Sequence, residues 1–596
     1  MSGVAILDLG GQYCHLIGRR LRDLNVESTI LGPETPAEDL EGYAGVILSG
    51  GPSSVYDPNS PQIDFKILDV GIPVLGICYG HQLLAQHLGA RVAPGAGEYG
   101  LSTLSLIEVD SIFKGTPNRQ KVWMSHSDSV ADVPASFVRL ARTDRCDVAA
   151  FAHLERRIFG VQFHPEVVHS EFGKEVLRNF ALGVCCLKPE QGIATRVPKL
   201  QAEIRKKVGD RSVFFFVSGG VDSSVAFALC ARALPRERIL GVYVDTGLMR
   251  KGETDELRKN FARLGLIDRL RVRDESKRFL AKLDGVVEPE KKREIIGGLF
   301  VEVQSEAMKE YGIDEGRWLL GQGTIYPDTI ESGGAAGRAA VIKTHHNRCA
   351  EILALMERGQ VVEPLAEFYK DEVREIGREL GLDAHLTNRW PFPGPALAIR
   401  CLCTNIEGEP SVPPISLGAA YGDYEAVQVP LRSVGVQGDG RTYRELVALR
   451  GPLDYDRLQD LSSEICNANT LHNRVIVFLA GKKERLADAR ITNRALSPER
   501  LDTLREADYI ARSAMEANGL MESVWQFPVI LIPLTFGEGE AIVLRPVNST
   551  DGMTANFARL EPGILASLAA KILAVDGVDM VFLDTTDKPP ATIEWE

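Results

Sequence analysis

Gly76-Ile77-Cys78-Tyr79-Gly80 sets a thiol between two glycines, after the apolar run Pro73 to Ile77 and ahead of a helical pattern that starts at His81. Glycines on both sides permit the sharp strand-to-helix turn that presents a reactive side chain, the geometry of a nucleophile elbow. The turn also places a helix N-terminus, with its partial positive charge, behind the sulfur. A nucleophile needs a base, and Gly160-Val161-Gln162-Phe163-His164-Pro165-Glu166 offers one directly after another apolar strand. In extended backbone, positions i and i+2 face one side, so Glu166 can hold the His164 imidazole in one tautomer. Cys78, His164 and Glu166 therefore form a candidate Cys-His-Glu triad. Gly50-Gly51-Pro52 ends a further strand, and the N–H groups of Gly51 and Tyr79 are the expected oxyanion donors.

A second constellation lies downstream. Val213 to Val217 runs into Ser218-Gly219-Gly220-Val221-Asp222-Ser223-Ser224 and then into a helical pattern from Val225. Strand, glycine-rich turn and helix N-terminus together cradle a phosphate, because bare backbone N–H groups and the helix dipole face the anion. No G-x-x-x-x-G-K-[ST] accompanies it, so this is not a Walker loop. Asp222 can help hold Mg²⁺ by oxygen ligation.

Short β-branched runs alternate with helical patterns through the first two thirds of the chain: Val4 to Leu7, Gly45 to Leu48, Pro73 to Ile77, Val213 to Val217 and Leu240 to Val244. That rhythm implies βαβ units, an α/β fold and ligand sites at the C-terminal ends of parallel strands. The 596 residues suggest roughly four domains. A helical stretch, Glu171 to Leu182, stops before Cys185-Cys186-Leu-Lys-Pro-Glu, and Arg389-Trp-Pro-Phe-Pro-Gly-Pro cannot sit in a helix or a central strand. The breaks divide the chain into 1–187, 197–388 and a remainder that carries a weak repeat. Val429-Pro-Leu, Val447-Ala-Leu-Arg and Arg474-Val-Ile-Val-Phe-Leu match Ile532-Pro-Leu, Ile542-Val-Leu-Arg and Asp579-Met-Val-Phe-Leu. Each copy reads as a small β-β-α-β unit, one in 389–490 and one in 491–596.

Composition narrows the chemistry. A net charge of −13 with no basic block argues against nucleic acid as a partner. The richest apolar run, Trp525 to Phe536, contains two prolines and is too short to span a bilayer. The first residues lack a basic stretch, so no secretory signal is read and the cytoplasm is the expected location. Ten cysteines without a C-x-x-C pair point neither to a disulfide framework nor to a zinc site.

Asp8-Leu-Gly-Gly-Gln-Tyr13, Ser49-Gly-Gly-Pro-Ser-Ser-Val-Tyr56, Gly76 to Gln82 and Val161 to Glu166 resemble a class I glutamine amidotransferase domain over about residues 1–187. The resemblance implies attack of Cys78 on glutamine, a glutamyl thioester and release of ammonia. Ser218 to Ser223 resembles the PP-loop of N-type ATP pyrophosphatases, which cleave ATP between the α and β phosphates. Segments along the whole chain are similar to the GMP synthetase family: Val242 to Lys251, Pro289 to Gly297, Gly321 to Ser332, Ile342-Lys-Thr-His-His-Asn347, Val434 to Tyr443 and Lys588 to Glu596. The fold this implies joins the amidotransferase domain to an adenine-nucleotide alpha-hydrolase-like ATP pyrophosphatase domain and duplicated α+β C-terminal subdomains. The substrates implied are glutamine, ATP and xanthosine 5′-monophosphate (XMP), whose C2 oxygen is adenylylated before ammonia displaces AMP.

By the matching motifs, Ser218 to Ser224 and Lys343 would bind ATP. Arg293, Asp439, Gln526, Lys588 and Glu594 would contact XMP, with Arg293 and Lys588 suited to its phosphate. The tandem C-terminal units look like the long form of the family, in which the second copy takes the place of a partner subunit. A monomer is expected, with a homodimer as the alternative. His81, Gly97 and Ala396 stand where the family usually has Met, Arg and Gly. Asparagine synthetases, which also feed ammonia to a PP-loop, would require Cys at position 2, where this chain has Ser2. A tRNA-modifying enzyme would need a basic surface.

Overall fold

The computed structural model describes the chain except residues 1–2, 12, 110, 135, 168, 190–195, 315, 327, 329–354, 407–408, 410, 419–420, 438–439, 469–470 and 550–554. It divides into two compact units, Met1–Arg196 and Val197–Glu596.

The first unit is built on nine strands: β1 (Val4–Leu7), β2 (Ser28–Leu31), β3 (Gly45–Leu48), β4 (Val74–Ile77), β5 (Val92–Leu106), β6 (Arg119–Val130), β7 (Val138–Arg142), β8 (Ala150–His153) and β9 (Ile158–Val161). Their order is β2-β1-β3-β4-β9-β8-β7-β5-β6, parallel from β2 to β9 and antiparallel beyond. Every residue of β1, β3, β4 and β9 is buried, as a sheet covered on both faces requires. The period-2 alternation of side chains divides them between two cores. Val4, Ile6, Ile47 and Leu75 pack with Ile17 and Leu21 of α1 (Cys14–Asp23). Ala5, Leu7, Val46, Leu48 and Val74 pack with Leu83 and Leu84 of α2 (Tyr79–His87). The helix expected over 171–182 is α3 (Gly173–Arg178), continued by a wide turn over Asn179–Val184. The antiparallel half, β5 to β8, had no counterpart among the strands read from sequence. β6 alternates buried and exposed positions, a weaker signal than the continuous apolar runs beside it.

The second unit contains an all-parallel sheet of β10 (Ser212–Phe216), β11 (Ile239–Asp245), β12 (Leu270–Asp274), β13 (Trp318–Gly321) and β14 (Val361–Val362), ordered β12-β11-β10-β13-β14. The chain runs outward from β10 to β12 and then resumes on the other side of β10. The strand order therefore reverses at β10, whose C-terminal end is the expected ligand crevice. Helices α4 (Val221–Ala233), α5 (Glu253–Arg263), α6 (Pro289–Glu310) and α7 (Lys370–Glu379) accompany it.

The C-terminal region forms one seven-stranded sheet from β15 (Ile415–Ser416), β16 (Glu425–Gln437), β17 (Gly440–Arg450), β18 (His472–Gly481), β19 (Val529–Ile532), β20 (Glu540–Leu544) and β21 (Val578–Asp584), in the order β15-β16-β17-β18-β21-β20-β19. β16 pairs antiparallel with β17, and β17 runs parallel to β18 across α8 (Tyr455–Ala468). β19 pairs antiparallel with β20, and β20 runs parallel to β21 across α10 (Pro562–Leu573), with α9 (Pro498–Ala517) between the copies. The repeated segments thus fall on equivalent strands, and the two copies join antiparallel through β18 and β21.

At that junction Asp584 Oδ2 receives Arg474 Nη1 at 2.6 Å, Arg545 Nη1 at 2.8 Å and Trp595 Nε1 at 3.0 Å, all fully buried. Burial pushes the Arg474 guanidinium down to about 10. Carbonyls of Val434, Thr592 and Ile593 take further N–H groups of the two arginines, which pins the tail to the sheet. Asp584→Asn leaves two buried cations uncompensated, and the second unit is expected to lose about 3–5 kcal/mol, read as a lower urea midpoint of the full chain. Ala396 has φ +55°, where glycine is at ease. Ala396→Gly relieves about 1–2 kcal/mol of strain. It also loses a buried methyl worth about 0.8 kcal/mol and about 0.5–1 kcal/mol of chain entropy. The same unfolding measurement should therefore show a net change below about 1 kcal/mol.

Candidate active site

Three adjacent parallel strands deliver the first site from their C-terminal ends. Gly76 of β4 pairs with Leu48 of β3 on one side and with Gly160 of β9 on the other. Gly50 and Gly51 leave β3, Cys78 leaves β4, and His164 follows β9. Cys78 caps α2 with φ +52° and ψ −104°, a strained conformation held by its N–H donating to Val161 O at 2.8 Å. A Cβ on Gly76 would lie 2.5 Å from Gly80 O, and one on Gly80 would lie 2.6 Å from Leu48 O, so the elbow closes only with glycine at both positions.

The His164 ring donates from Nδ1 to Glu166 Oε1 at 2.7 Å, since the carboxylate can only accept. A Cβ on Gly50 would lie 3.0 Å from His164 Cε1 and 3.5 Å from Cys78 Cβ, so the ring and the thiol-bearing side chain stand side by side over Gly50, and Cys78 Sγ lies 3.5 Å from Ser125 O. Burial alone would push this imidazole down, but the Glu166 carboxylate and Cys78 hold it well above the usual histidine value. Ser170 Oγ donates to His164 O at 2.6 Å and Arg20 Nε to Glu166 O at 2.9 Å, which fixes the backbone of both residues. Tyr13 stands edge-on to the imidazole, with ring centroids 5.2 Å apart. Gly51 abuts Tyr79, whose N–H opens α2 and has no intrahelical acceptor. The structure therefore brings Cys78, His164, Glu166, Gly51 and Tyr79 into one site. His81 points beneath the elbow against Phe151, fully buried, and burial pushes it down to about 3, so it stays neutral.

In the second unit, residues 218–224 form the turn from β10 into α4. Gly219 has φ +79°, Ser218 Oγ and Ser223 Oγ are 2.8 Å apart, and Gly220 caps the helix. A Cβ on Gly323 would lie 2.6 Å from Ser223 Cα, so the Gly321-Gln-Gly segment presses directly on this turn. Arg389, buried, donates from Nη1 to Gly219 O at 3.1 Å and pairs with Glu253, which in turn accepts from Arg250 N–H at 3.0 Å. Lys370 pairs with Asp222. Sequence reasoning missed Arg389 and Lys370; their only signal is a cation beside a proline-rich segment or at a helix start.

The C-terminal tail gathers part of the third predicted set. Glu594 takes Arg400 Nε and Nη2 at 3.0 and 2.7 Å and Gln526 Nε2 at 3.2 Å. Arg293 Nη2 donates to Glu596 O at 2.5 Å, and the neighbouring Lys292, fully buried, meets Glu596 Oε2 at 2.6 Å. Lys588 sits where the tail enters, its main chain paired with Ala555. Lys343 and Asp439 lie outside the described residues. Among the described residues no group of three or more His, Cys, Asp or Glu could hold a metal ion. Asp222 Oδ1 is buried with no hydrogen-bond partner, which fits a cation whose other ligands are phosphate oxygens and water.

The fold and the Cys-His-Glu geometry of the first unit define a class I glutamine amidotransferase domain, and residues 5–184 match the family model "Glutamine amidotransferase class-I". Residues 513–595 match "GMP synthase C terminal domain". The chain is 42% identical to a probable GMP synthase [glutamine-hydrolyzing] of Leptospira interrogans, covering 100% of this chain and 99% of the relative. It is 39% identical to the GMP synthase [glutamine-hydrolyzing] of Streptomyces coelicolor, with 100% and 98% covered, and 37% to that of Caldicellulosiruptor saccharolyticus, with 100% and 99% covered. The chain belongs to the glutamine-hydrolyzing GMP synthase family.

If Glu166 holds the imidazolium, Glu166→Gln should lower the titration midpoint of His164 by about one unit or more, followed by NMR of the ¹³Cε1-labelled histidines. An unmoved midpoint would leave the elevation without its carboxylate cause.

Proposed function

We propose that the first unit hydrolyses glutamine with Cys78 as nucleophile, and that the second unit uses ATP to activate XMP for attack by the ammonia released. The sum is XMP + ATP + glutamine + water to GMP + AMP + pyrophosphate + glutamate. The observation that carries the reading is Cys78 on its elbow beside a His164 that Glu166 orients at 2.7 Å.

His164, held as the imidazolium by Glu166, keeps the proton of the Cys78–His164 pair as the sulfur attacks the glutamine amide carbon, and gives it to the leaving nitrogen. The N–H groups of Gly51 and Tyr79 receive the developing oxyanion. Water then releases glutamate from the thioester, with His164, neutral once it has given up its proton, as base. In the second unit the N–H groups at the start of α4, with Ser218 and Ser223, bind the phosphates of ATP. Mg²⁺, held by Asp222, would neutralise phosphate charge there. Arg389 keeps the Gly219 carbonyl turned away from the anion by binding it. Arg293, Gln526, Lys588 and Glu594, with Asp439, recognise XMP. The cluster of Gln526, Glu594, Arg400 and Arg293 on one tail supports that assignment.

We further propose a cytoplasmic monomer. Among the described residues no helix is long and apolar enough to cross a membrane. Pairing of β18 with β21 already joins the two copies within one chain, which supports a monomer. A solution mass near twice 65.3 kDa would contradict it.

The test incubates the protein with glutamine, Mg·ATP and XMP and quantifies GMP, AMP, pyrophosphate and glutamate. Equal yields of GMP, AMP and glutamate are expected, all dependent on XMP except residual glutamate. Cys78→Ala should abolish glutamine-supported GMP while ammonium-supported GMP persists within about twofold of wild type, because the nucleophile serves only the first half-reaction. Equal loss with both nitrogen sources would contradict separate sites.

A further inference from the structure

Lys370 opens α7, and its Nζ lies 2.5 Å from Oδ2 of Asp222 in the first turn of α4. The two helices pack together, and the pair borders solvent, with the side chains 32% and 25% exposed. One turn along α7, Arg374 also faces the Asp222 charge, and its Nε is buried with no hydrogen-bond partner. Arg374 Nη2 donates to Arg389 O at 3.5 Å, which ties it to the residue that clamps Gly219. One carboxylate thus meets two cations at a helix N-terminus whose first-turn N–H groups lack intrahelical acceptors.

The charges are arranged for exchange. A free carboxylate in that turn would repel a polyphosphate, and Lys370 cancels it. A divalent cation bound between carboxylate and phosphate oxygens takes over that cancellation. The ammonium is a compact charge on a flexible four-carbon stem, so it can change partners over a few ångströms without moving the helix. We infer that Lys370 is a phosphate-binding residue held in reserve by Asp222: it leaves the carboxylate as Mg²⁺·ATP binds and carries its charge to the β,γ-phosphoryl oxygens, where with Arg374 it steadies the departing pyrophosphate. The inference rests on the PP-loop reading of residues 218–224. A tether that merely joins α7 to α4 would not distinguish one phosphate from three.

Calorimetric titration of the full-length protein with α,β-methylene-ATP, inorganic pyrophosphate and AMP separates the two roles, with melting temperature followed in parallel. Lys370→Gln should weaken the ATP analogue and pyrophosphate by about tenfold to a hundredfold, the loss of one hydrogen bond to a charged group. AMP, which lacks the β and γ phosphates, should bind this variant as it binds wild type. The free Mg²⁺ needed for half-maximal binding of the analogue should fall, because Asp222 loses the nearer of its two protein counter-ions. Lys370→Arg keeps the fold and the charge but grips Asp222 through two N–H groups, so the same Mg²⁺ requirement should rise. Unchanged analogue binding in Lys370→Gln overturns the inference. So does a parallel loss of AMP with a lowered melting temperature, or an Mg²⁺ requirement unmoved in Lys370→Arg. Wild-type protein that binds AMP but neither the analogue nor pyrophosphate would instead contradict the PP-loop reading itself.

Discussion

Both candidate sites depend on bringing a helix N-terminus within backbone contact of the end of a parallel strand. First-turn N–H groups lack intrahelical acceptors, so a helix start is both a polar liability and the place where an anion is held most strongly. Exposing those groups to a substrate, and not to solvent alone, requires the neighbouring backbone to approach closer than any side chain allows. Gly76 and Gly80 meet that demand at the cysteine elbow and Gly323 meets it against the phosphate turn, where Gly219 supplies a positive φ instead. The remainder of each sheet serves to hold these approaches: continuous apolar strands, buried on both faces, leave little freedom to relax.

Polar burial in the second unit follows a different logic. Lys292 with Glu596, Arg400 with Glu594, Arg389 with Glu253, and Arg474 and Arg545 with Asp584 are ion pairs largely removed from water. Such pairs add little net stability over well-packed apolar residues, yet breaking one partner is costly. Their value here is positional. Four of the five fix residues of the 588–596 tail or the strands on which it lies, and Arg389 with Glu253 fixes the turn at Gly219. A tail anchored only by Trp595 could rotate about that side chain; hydrogen-bonded at Thr592, Ile593, Glu594 and Glu596 it cannot.

The duplicated β-β-α-β units solve the problem of exposed sheet edges within one polypeptide. A single copy would end in β18 or β21 as a bare edge strand, open to pairing with another chain. Joined antiparallel, the copies bury both edges, and Asp584 with Arg474 and Arg545 binds the seam from each side.

What the sequence determined by itself was local. Strands β1, β3, β4, β10 and β11 were legible because both-face burial writes them as uninterrupted apolar runs. The elbow, the His164–Glu166 spacing and the 218–224 turn were legible because each packs its chemistry into a few consecutive residues. The tertiary structure decided whatever depends on residues distant in the chain. The antiparallel half of the first sheet is half exposed and carries a diluted pattern. Arg389, Lys370 and Lys292 are ordinary cations until the fold sets them against Gly219, Asp222 and Glu596, in the last case 304 positions away. Spacing along a strand or turn reveals neighbours in sequence. Electrostatic partners chosen by packing leave no periodic trace, because only closure of the fold brings them within reach.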